Sequence, residues 1–211
     1  MTALVTGADG FVGRHLVAAL VQAGRSVRAT DLQFGTDLPD GVEARVADIL
    51  DAAAMASAMD GVETVYHLAA ISDLWTPARD ADQHHRVNVT GTKILLEAAI
   101  AAGARRFVYC SSNVALITGP RRAMDVDETY RVDRAALFGA YARSKHDAEA
   151  LVSRAADRIE VVIARPGTPI GPGDHRPTPP GRLLRDLANG TLPALPMGGS
   201  INLVDVRLLA D

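Results

Sequence analysis

The sequence predicts an α/β fold, a doubly wound parallel sheet with helices on both faces. Short apolar runs of strand character alternate with segments of helical period along most of the 211 residues. Such alternation implies right-handed crossovers between parallel strands. A glycine-rich stretch, TGADGFVG at residues 6–13, stands between the first strand and the first helix. These observations indicate an open sheet with a ligand-binding turn after its first strand.

Each element follows from the local pattern of apolar residues. In the first helix, Leu16, Val17, Leu20 and Val21 share one face, and Gly24 ends the pattern. The same reasoning predicts strands at 3–6, 26–31, 43–46, 63–68, 105–111 and 159–165, and helices at 12–23, 51–59, 81–102 and 135–155.

The pattern changes after residue 165. The stretch RPGTPIGPGDHRPTPPGR is dense in proline and glycine, and it predicts a linker or a binding loop up to about residue 183. A last strand is predicted at 201–204, without neighbouring strands. The organisation we expect is a nucleotide-binding domain at 1–165, followed by a second region at 166–211.

Composition narrows the classes of partner. With 48% hydrophobic and 22% charged residues and a net charge of -3, the chain is typical of a soluble globular protein. It carries no stripe of lysine and arginine, so neither nucleic acid nor a membrane surface is an expected partner. Cys110 is the single cysteine, which predicts no internal disulfide and a cytoplasmic location. The histidines and the cysteine lack metal-ligand spacing, so no metal is expected.

The glycines suit a dinucleotide. Gly7 allows a tight turn, Gly10 allows the backbone to approach a phosphate, and Gly13 allows the helix to pack on the strand. Asp31 ends the second strand, where a carboxylate accepts the adenosine ribose hydroxyls and repels a 2′-phosphate. The sequence therefore predicts a Rossmann-type fold that binds NAD in preference to NADP. A turn that binds nothing, with an ordinary exposed acid at residue 31, is the alternative.

A second cluster indicates proton transfer. Tyr141 and Lys145 are four residues apart, which places both on one face of a helix. A nearby ammonium lowers the pKa of a phenol from its usual value of about 10. Ser111 and Ser112 follow the strand at 105–111, where a hydroxyl can orient a substrate oxygen. A structural Tyr–Lys pair and serines that only cap a turn are the alternatives.

These segments together resemble the extended short-chain dehydrogenase/reductases, the NAD-dependent epimerase/dehydratase family. Within this family, the sequence resembles most closely the hopanoid-associated sugar epimerases and the dihydroflavonol reductases. The matching segments are TGADGFVG, Asp31, ADIL at 47–50, YHLAA at 66–70, NVTGTKILLEAA at 88–99, FVYCSS at 107–112, YARSK at 141–145 and ARPGTPIGPGD at 164–174.

The resemblance implies a role for each matching residue. Ser112, Tyr141 and Lys145 are the expected catalytic set. Asn88 is expected behind the site, where it helps to position Lys145. The full set expected at the cofactor is Gly7, Gly10, Phe11, Val12, Asp31, Asp48, Ile49, Leu68, Ala69, Ala70, Asn88, Tyr141, Lys145, Pro166 and Thr168. Asp48 serving only as a helix cap is the alternative at that position. Substrate contacts are expected from Ser111, Asn113, Trp75 and Arg182.

The resemblance also implies an activity. We expect an NAD(P)-dependent oxidoreductase or epimerase that moves a hydride between nicotinamide and a secondary alcohol or ketone of a small molecule. A nucleotide sugar is the first expected substrate, and a dihydroflavonol- or hydroxysteroid-type ketone is the alternative. A non-catalytic dinucleotide sensor is the third reading. Members of the family commonly form homodimers and run longer than this chain, which predicts a dimer and a truncated substrate-binding part.

Overall fold

The computed structural model describes residues 1–35, 37–74, 77, 80–118, 126–175, 178–192 and 201–211. Its strands are β1 (Thr2–Thr6), β2 (Ser26–Asp31), β3 (Glu43–Val46), β4 (Val62–His67), β5 (Arg106–Cys110), β6 (Glu160–Ala164), β7 (Thr168–Ile170) and β8 (Leu203–Asp205). Its α-helices are α1 (Phe11–Gln22), α2 (Ala52–Ala58), α3 (Ala81–His84), α4 (Thr92–Ala101), α5 (Gly139–Ser153), α6 (Pro179–Ala188) and α7 (Val206–Ala210).

Six parallel strands form the main sheet, in the order β3-β2-β1-β4-β5-β6. The order reverses between β1 and β4, because the chain builds outward from β1 in one direction and then from β4 in the other. A parallel sheet of this order is the Rossmann-type arrangement, so the predicted fold class is confirmed. Ligands of such sheets bind at the carboxyl ends of the strands beside the reversal.

Apolar side chains fill both faces of the sheet, because successive residues of a strand point to opposite sides. Leu4 packs on one face with residues of α2, α4 and α5. Val5 packs on the other face with Val17 of α1. Burial on both faces explains why these strands are continuous apolar runs.

One predicted helix is built from three segments. The helix expected at 81–102 consists of α3, a π-helical segment over His85–Gly91, and α4. A π-helical turn carries one extra residue per hydrogen-bonded ring and is frequent at functional sites. Asn88 lies in this segment and is 1% exposed.

The region after residue 165 differs from its prediction. The expected linker or loop contains strand β7 and the beginning of α6, where Thr178 caps the helix by accepting a hydrogen bond from the Gly181 backbone N–H. The last strand has a neighbour after all, because β8 pairs in parallel with β7. Proline and glycine interrupt the periodic pattern of these short elements in the sequence, so neither was predicted. The domain division at residue 165 stays a prediction.

The C-terminal segments pack against the first helix. The Arg14 guanidinium donates to the Gly173 carbonyl at 2.9 Å, and a His15 ring nitrogen lies 2.9 Å from the Pro172 carbonyl. Both side chains belong to the first turns of α1, which places residues 172–174 beside the glycine turn. No helix in the part of the chain that the structure describes is long and apolar enough to cross a membrane.

Candidate active site

A cleft of about 630 Å³ opens at the carboxyl ends of the strands, where the strand order reverses. It brings together nine of the residues expected at the cofactor. These are Gly7, Gly10, Phe11, Asp31, Asp48, Ile49, Leu68, Ala69 and Ala70. The elements that carry them lie up to about sixty residues apart in the chain, so the sheet order, not local sequence, creates the cleft.

The glycine turn forms one wall of the cleft. Gly7 has φ +68°, and a Cβ at this position would lie 2.7 Å from the Ala69 backbone nitrogen. A Cβ on Gly13 would overlap the Gly7 carbonyl oxygen, so the helix can approach the turn only without a side chain there. Gly10 precedes α1, and its missing Cβ would contact only the Gly7 oxygen, at 3.0 Å.

The N-terminus of α1 suits an anion. Among the described residues, no side chain caps this helix, so the first-turn N–H groups of Phe11 and Val12 face the turn without a side-chain acceptor. Unpaired N–H groups and the positive end of the helix dipole attract a negatively charged ligand. The open side of Gly10 leaves room for a diphosphate, so this turn fits the dinucleotide that the sequence predicts.

Asp31 stands at the end of β2, on the wall of the cleft. One carboxylate oxygen accepts the Asp9 backbone N–H at 2.9 Å, and the other accepts the Leu32 backbone N–H at 2.7 Å. A carboxylate oxygen has two lone pairs, so each retains an acceptor position for a ribose hydroxyl.

Asp48 and Ile49 line the cleft beside Asp31, because they follow β3, which pairs with β2. The Asp48 carboxylate accepts the Leu50 backbone N–H at 2.9 Å, whereas Asp51 caps α2. The alternative role of Asp48 as a helix cap is therefore wrong. Ile49 is 7% exposed, and a Cβ on Gly91 would lie 2.6 Å from its side chain. The floor of the cleft is formed by Leu68, Ala69 and Ala70, directly after β4.

Ser112, Tyr141 and Lys145 converge where β5 ends. The Ser112 hydroxyl lies close enough to the Tyr141 phenol to influence its pKa. The Lys145 ammonium donates to the Cys110 carbonyl at 2.8 Å and lies 5.0 Å from the centre of the Tyr109 ring. Ser112 also caps a short 3₁₀ helix, Asn113–Leu116, by accepting the Val114 N–H at 3.4 Å. Ser112 therefore caps a turn, as the alternative stated, but it also lies beside Tyr141.

The pKa values differ from expectation. Burial raises the pKa of Tyr141 to about 12, and the nearby Ser112 hydroxyl acts in the opposite direction. Burial also lowers the pKa of Lys145. We expected the pKa of the phenol to lie below its usual value of about 10, and this is wrong, because desolvation by burial dominates. A cationic group bound next to the phenol would reverse part of this shift.

Asn88 connects the cleft to the Tyr141 helix. Its amide exchanges two hydrogen bonds with the Ile71 backbone, at 2.8 and 2.9 Å, and donates a third to the Ser144 hydroxyl at 2.9 Å. Ile71 lines the cleft and Ser144 precedes Lys145. The His84 ring, from the same helical stretch, lies 6.1 Å from the Tyr141 ring. Asn88 thus reaches the neighbour of Lys145 and not Lys145 itself.

The other predicted site residues differ in burial and in their hydrogen-bond partners. Ser111 is 3% exposed, and its hydroxyl has no hydrogen-bond partner among the described residues. Asn113 donates from its backbone to the Pro166 carbonyl at 3.0 Å, and Thr168 begins β7. Arg182 is exposed in the first turn of α6. Trp75 lies outside the described residues.

Sequence reasoning missed charged residues that line the cleft. Asp9, Arg14, Arg86 and Asp174 all contribute to its walls. The Asp9 carboxylate accepts the Gly35 backbone N–H at 3.1 Å and lies 3.6 Å from the Arg14 guanidinium. Asp9 lies inside the glycine motif and Arg14 directly follows it. Their position in the sequence could therefore have indicated that they line the cleft. In the described stretches, no cluster of three or more histidine, cysteine or acidic residues could hold a metal ion.

Sheet order, glycine turn and Ser–Tyr–Lys cluster together define a Rossmann-type dinucleotide-binding protein of the extended short-chain dehydrogenase/reductase class. The chain belongs to the NAD dependent epimerase/dehydratase family, whose model matches residues 3–200. The resemblance seen in the sequence is confirmed.

Named relatives differ in activity. A provisionally named dihydroflavonol 4-reductase of Synechocystis sp. is 38% identical over 212 residues, which cover 98% of this chain and 60% of that protein. A 3 beta-hydroxysteroid dehydrogenase/isomerase of Mycobacterium tuberculosis is 42% identical over 132 residues, covering 60% of this chain and 35% of that protein. The chain spans 60% or less of the length of these two relatives.

A solved structure shares the fold over the whole chain. UDP-glucose 4-epimerase of Thermus thermophilus, in complex with NAD, superposes with a TM-score of 0.80 at 25% identity, covering 100% of this chain and 72% of that one.

His67, at the end of β4 beside the cleft, predicts a pH effect on stability. Its ring bridges Thr6 and Thr92 at 2.8 Å each, and burial, aided by the Lys145 charge, lowers its pKa from 6.5 to about 3. Thr92 donates its own proton to the Asn88 carbonyl, so it accepts from His67, which is neutral. The unfolded chain therefore binds a proton near pH 6.5 that the folded chain rejects until about pH 3.

We expect the free energy of unfolding to fall as pH falls from 6.5 towards 3, by up to about 1.4 kcal/mol per pH unit from this group. Urea unfolding at pH 7, 6 and 5 measures it. His67→Gln should flatten the slope, and His85→Gln, which removes an exposed histidine, is the matched control. Equal slopes in wild type and His67→Gln would contradict this assignment.

Proposed function

We propose that the protein catalyses NAD-dependent hydride transfer between nicotinamide and a secondary alcohol or ketone. The observation that carries the proposal is the convergence of Ser112, Tyr141 and the Lys145 ammonium at the carboxyl edge, where ligands of this fold bind. A dinucleotide sensor would need the turn and the cleft but not this cluster. The membership of the chain in the epimerase/dehydratase family supports the same conclusion.

Each group has a distinct chemical task. The Ser112 hydroxyl binds the substrate oxygen and holds it next to the Tyr141 phenol. As the phenolate, Tyr141 accepts the proton of an alcohol at its Oη while hydride leaves the carbon; as the phenol, it gives its proton to a ketone oxygen while hydride is added. The Lys145 ammonium has three donors, of which one is used on Cys110. The other two can hold the ribose of the bound nicotinamide. When bound, the nicotinamide supplies the hydride acceptor or donor.

The adenosine end supports NAD rather than NADP. Asp31 presents a carboxylate to the cleft, and the Asp9 carboxylate lies close by, with its backbone N–H bonded to Asp31. A 2′-phosphate brought here would meet two negative charges, and the Arg14 guanidinium lies 3.6 Å from one of them, Asp9. The NAD that the related epimerase structure contains agrees with this preference.

Two substrate classes remain as candidates. A nucleotide sugar, the first expectation, is supported by the fold shared with the UDP-glucose epimerase. A ketone or alcohol on an apolar skeleton is supported by the names of the two curated relatives. It is also supported by Leu74, Ile117 and Phe138, which are 45%, 52% and 67% exposed on segments next to the Ser112–Tyr141 pair. Apolar side chains exposed beside a reactive centre suit an apolar substrate. We favour the second class.

The proposal also covers the oligomeric state and the cellular compartment of the protein. We propose a homodimer in the cytoplasm, with the helical stretch at 81–101 and α5 at the interface. The dimer rests on the family resemblance, and the compartment rests on the single cysteine. Sedimentation of the purified protein tests the dimer.

Replacing the phenol tests the reaction. We expect Tyr141→Phe to lower the turnover number roughly 10²- to 10⁴-fold, the usual contribution of a positioned acid or base. The affinity for NAD⁺ should be unchanged, because the aromatic ring of the side chain is kept. Reduction of NAD⁺, followed at 340 nm with a panel of steroid and flavonoid alcohols, measures turnover, and product analysis with UDP-hexoses tests epimerisation. Tyr66→Phe, which removes a phenol from β4, is the matched control. Equal turnover by wild type and Tyr141→Phe would refute the role of the phenol.

Replacing Asp31 tests cofactor selection. We expect Asp31→Asn to weaken NAD⁺ binding about tenfold or more, because hydrogen bonds to a charged group are worth about 1.5–3 kcal/mol. NADP⁺ binding should improve as the repulsion is removed. Titration calorimetry with both nucleotides measures the ratio, and Asp40→Asn removes an equal charge from an exposed loop as control. An unchanged NAD⁺ to NADP⁺ ratio would disprove the assignment.

A further inference from the structure

A largely buried ion pair joins α5, the helix that carries Tyr141, to the end of β6. Glu149 lies one helical turn after Lys145 on α5, and its carboxylate accepts three hydrogen bonds from Arg165, two from Nε at 3.0 and 3.1 Å and one from Nη2 at 2.8 Å. The two side chains are 10% and 22% exposed, whereas those of the surface pair Arg158–Glu97 are 47% and 49% exposed. Withdrawing charges from water is costly, so this placement calls for a reason.

Arg165 lies opposite Ser112 in the backbone. The Ser111 N–H donates to the Ala164 carbonyl at 2.8 Å, and the Asn113 N–H donates to the Pro166 carbonyl at 3.0 Å. Ser112 is the residue between the two donors, and Arg165 is the residue between the two acceptors. These bonds fix the Ser112 segment to residues 164–166, and the ion pair fixes the same residues to α5.

The contacts on α5 form a single stripe. Tyr141, Lys145 and Glu149 follow one another at intervals of four residues, so they share one face of the helix. Tyr141 lies beside Ser112, Lys145 donates to the Cys110 carbonyl, and Glu149 accepts from Arg165. The first two contacts use neutral partners. Only the third contact has opposite charges and bidentate geometry, which fixes orientation as well as distance.

We propose that Glu149 and Arg165 are positioning residues, which hold Lys145 and Tyr141 in register with Ser112 for the nicotinamide end of the cofactor. The inference rests on the proposed function, because it concerns the same site. The charge of Glu149 adds to the effect. Burial lowers the pKa of the Lys145 ammonium, whereas Cys110 and Glu149 act in the opposite direction and favour the charged form.

Binding of two nucleotides separates positioning from general stability. In the proposed binding mode, ADP would contact only the glycine turn and Asp31, whereas NAD⁺ would also contact Lys145. We expect Glu149→Gln, which keeps the shape and removes the charge, to weaken NAD⁺ binding about tenfold while ADP binding is unchanged. Arg165→Lys, which keeps the charge but loses the bidentate geometry, should fall between this variant and wild type. Titration calorimetry provides the dissociation constants.

A double-mutant cycle tests whether Glu149 acts through Lys145. In a Lys145→Met background, Glu149→Gln should cause no further loss of NAD⁺ affinity, because the group that it positions is gone. Glu97→Gln, which breaks the surface pair on α4, is the matched control and should bind both nucleotides as wild type does.

The outcomes are distinct. Unchanged NAD⁺ affinity in Glu149→Gln, an equal loss for NAD⁺ and ADP, or additive losses in the cycle would each overturn the positioning role and leave the proposed function intact. Failure of the wild type to bind NAD⁺ at all would overturn the proposed function, and this inference with it.

Discussion

The hydrogen bond from the buried Lys145 ammonium to the Cys110 carbonyl is the contact on which the site depends. It fixes α5 to the end of β5 at 2.8 Å, and Lys145 is only 3% exposed. An ammonium that is withdrawn from water needs strong acceptors, so its position in the fold is narrowly constrained. Tyr141 lies four residues before Lys145 on the same face of the helix, so fixing Lys145 also brings Tyr141 beside Ser112.

The parallel sheet converts that local contact into a site. Strands β1, β4 and β5 are neighbours, so the glycine turn, Leu68–Ala70 and Ser112 emerge at one edge although they are distant in the chain. Close packing at Gly7 and Gly13 brings the N-terminus of α1 to the same edge. A nucleotide bound along this edge would extend from Asp31 towards Tyr141. The fold therefore positions the site residues at one edge of the sheet, and a small number of polar side chains provide the reactive groups.

Much of this could be predicted from the sequence, because the decisive signals are local. The bounds of β2 and β3 match the structure, and the glycine turn and Asp31 lie where a strand, a turn and a helix must place them. The π-helical segment around Asn88 could not be predicted, since its sequence is an ordinary amphipathic helix. The strand β7 was hidden because its neighbour β8 lies more than thirty residues away. The raised pKa of Tyr141 depends on burial, which is a property of packing and not of spacing.

A crystal structure of the protein with NAD⁺ tests the convergence of these groups most directly. We expect the diphosphate at the first turn of α1, the adenosine ribose within hydrogen-bonding distance of Asp31, and the nicotinamide ribose on Lys145. The C4 atom of the ring should lie next to the Tyr141 hydroxyl. A dinucleotide bound with its nicotinamide directed away from Tyr141, or with Asp31 remote from the ribose, would contradict the account.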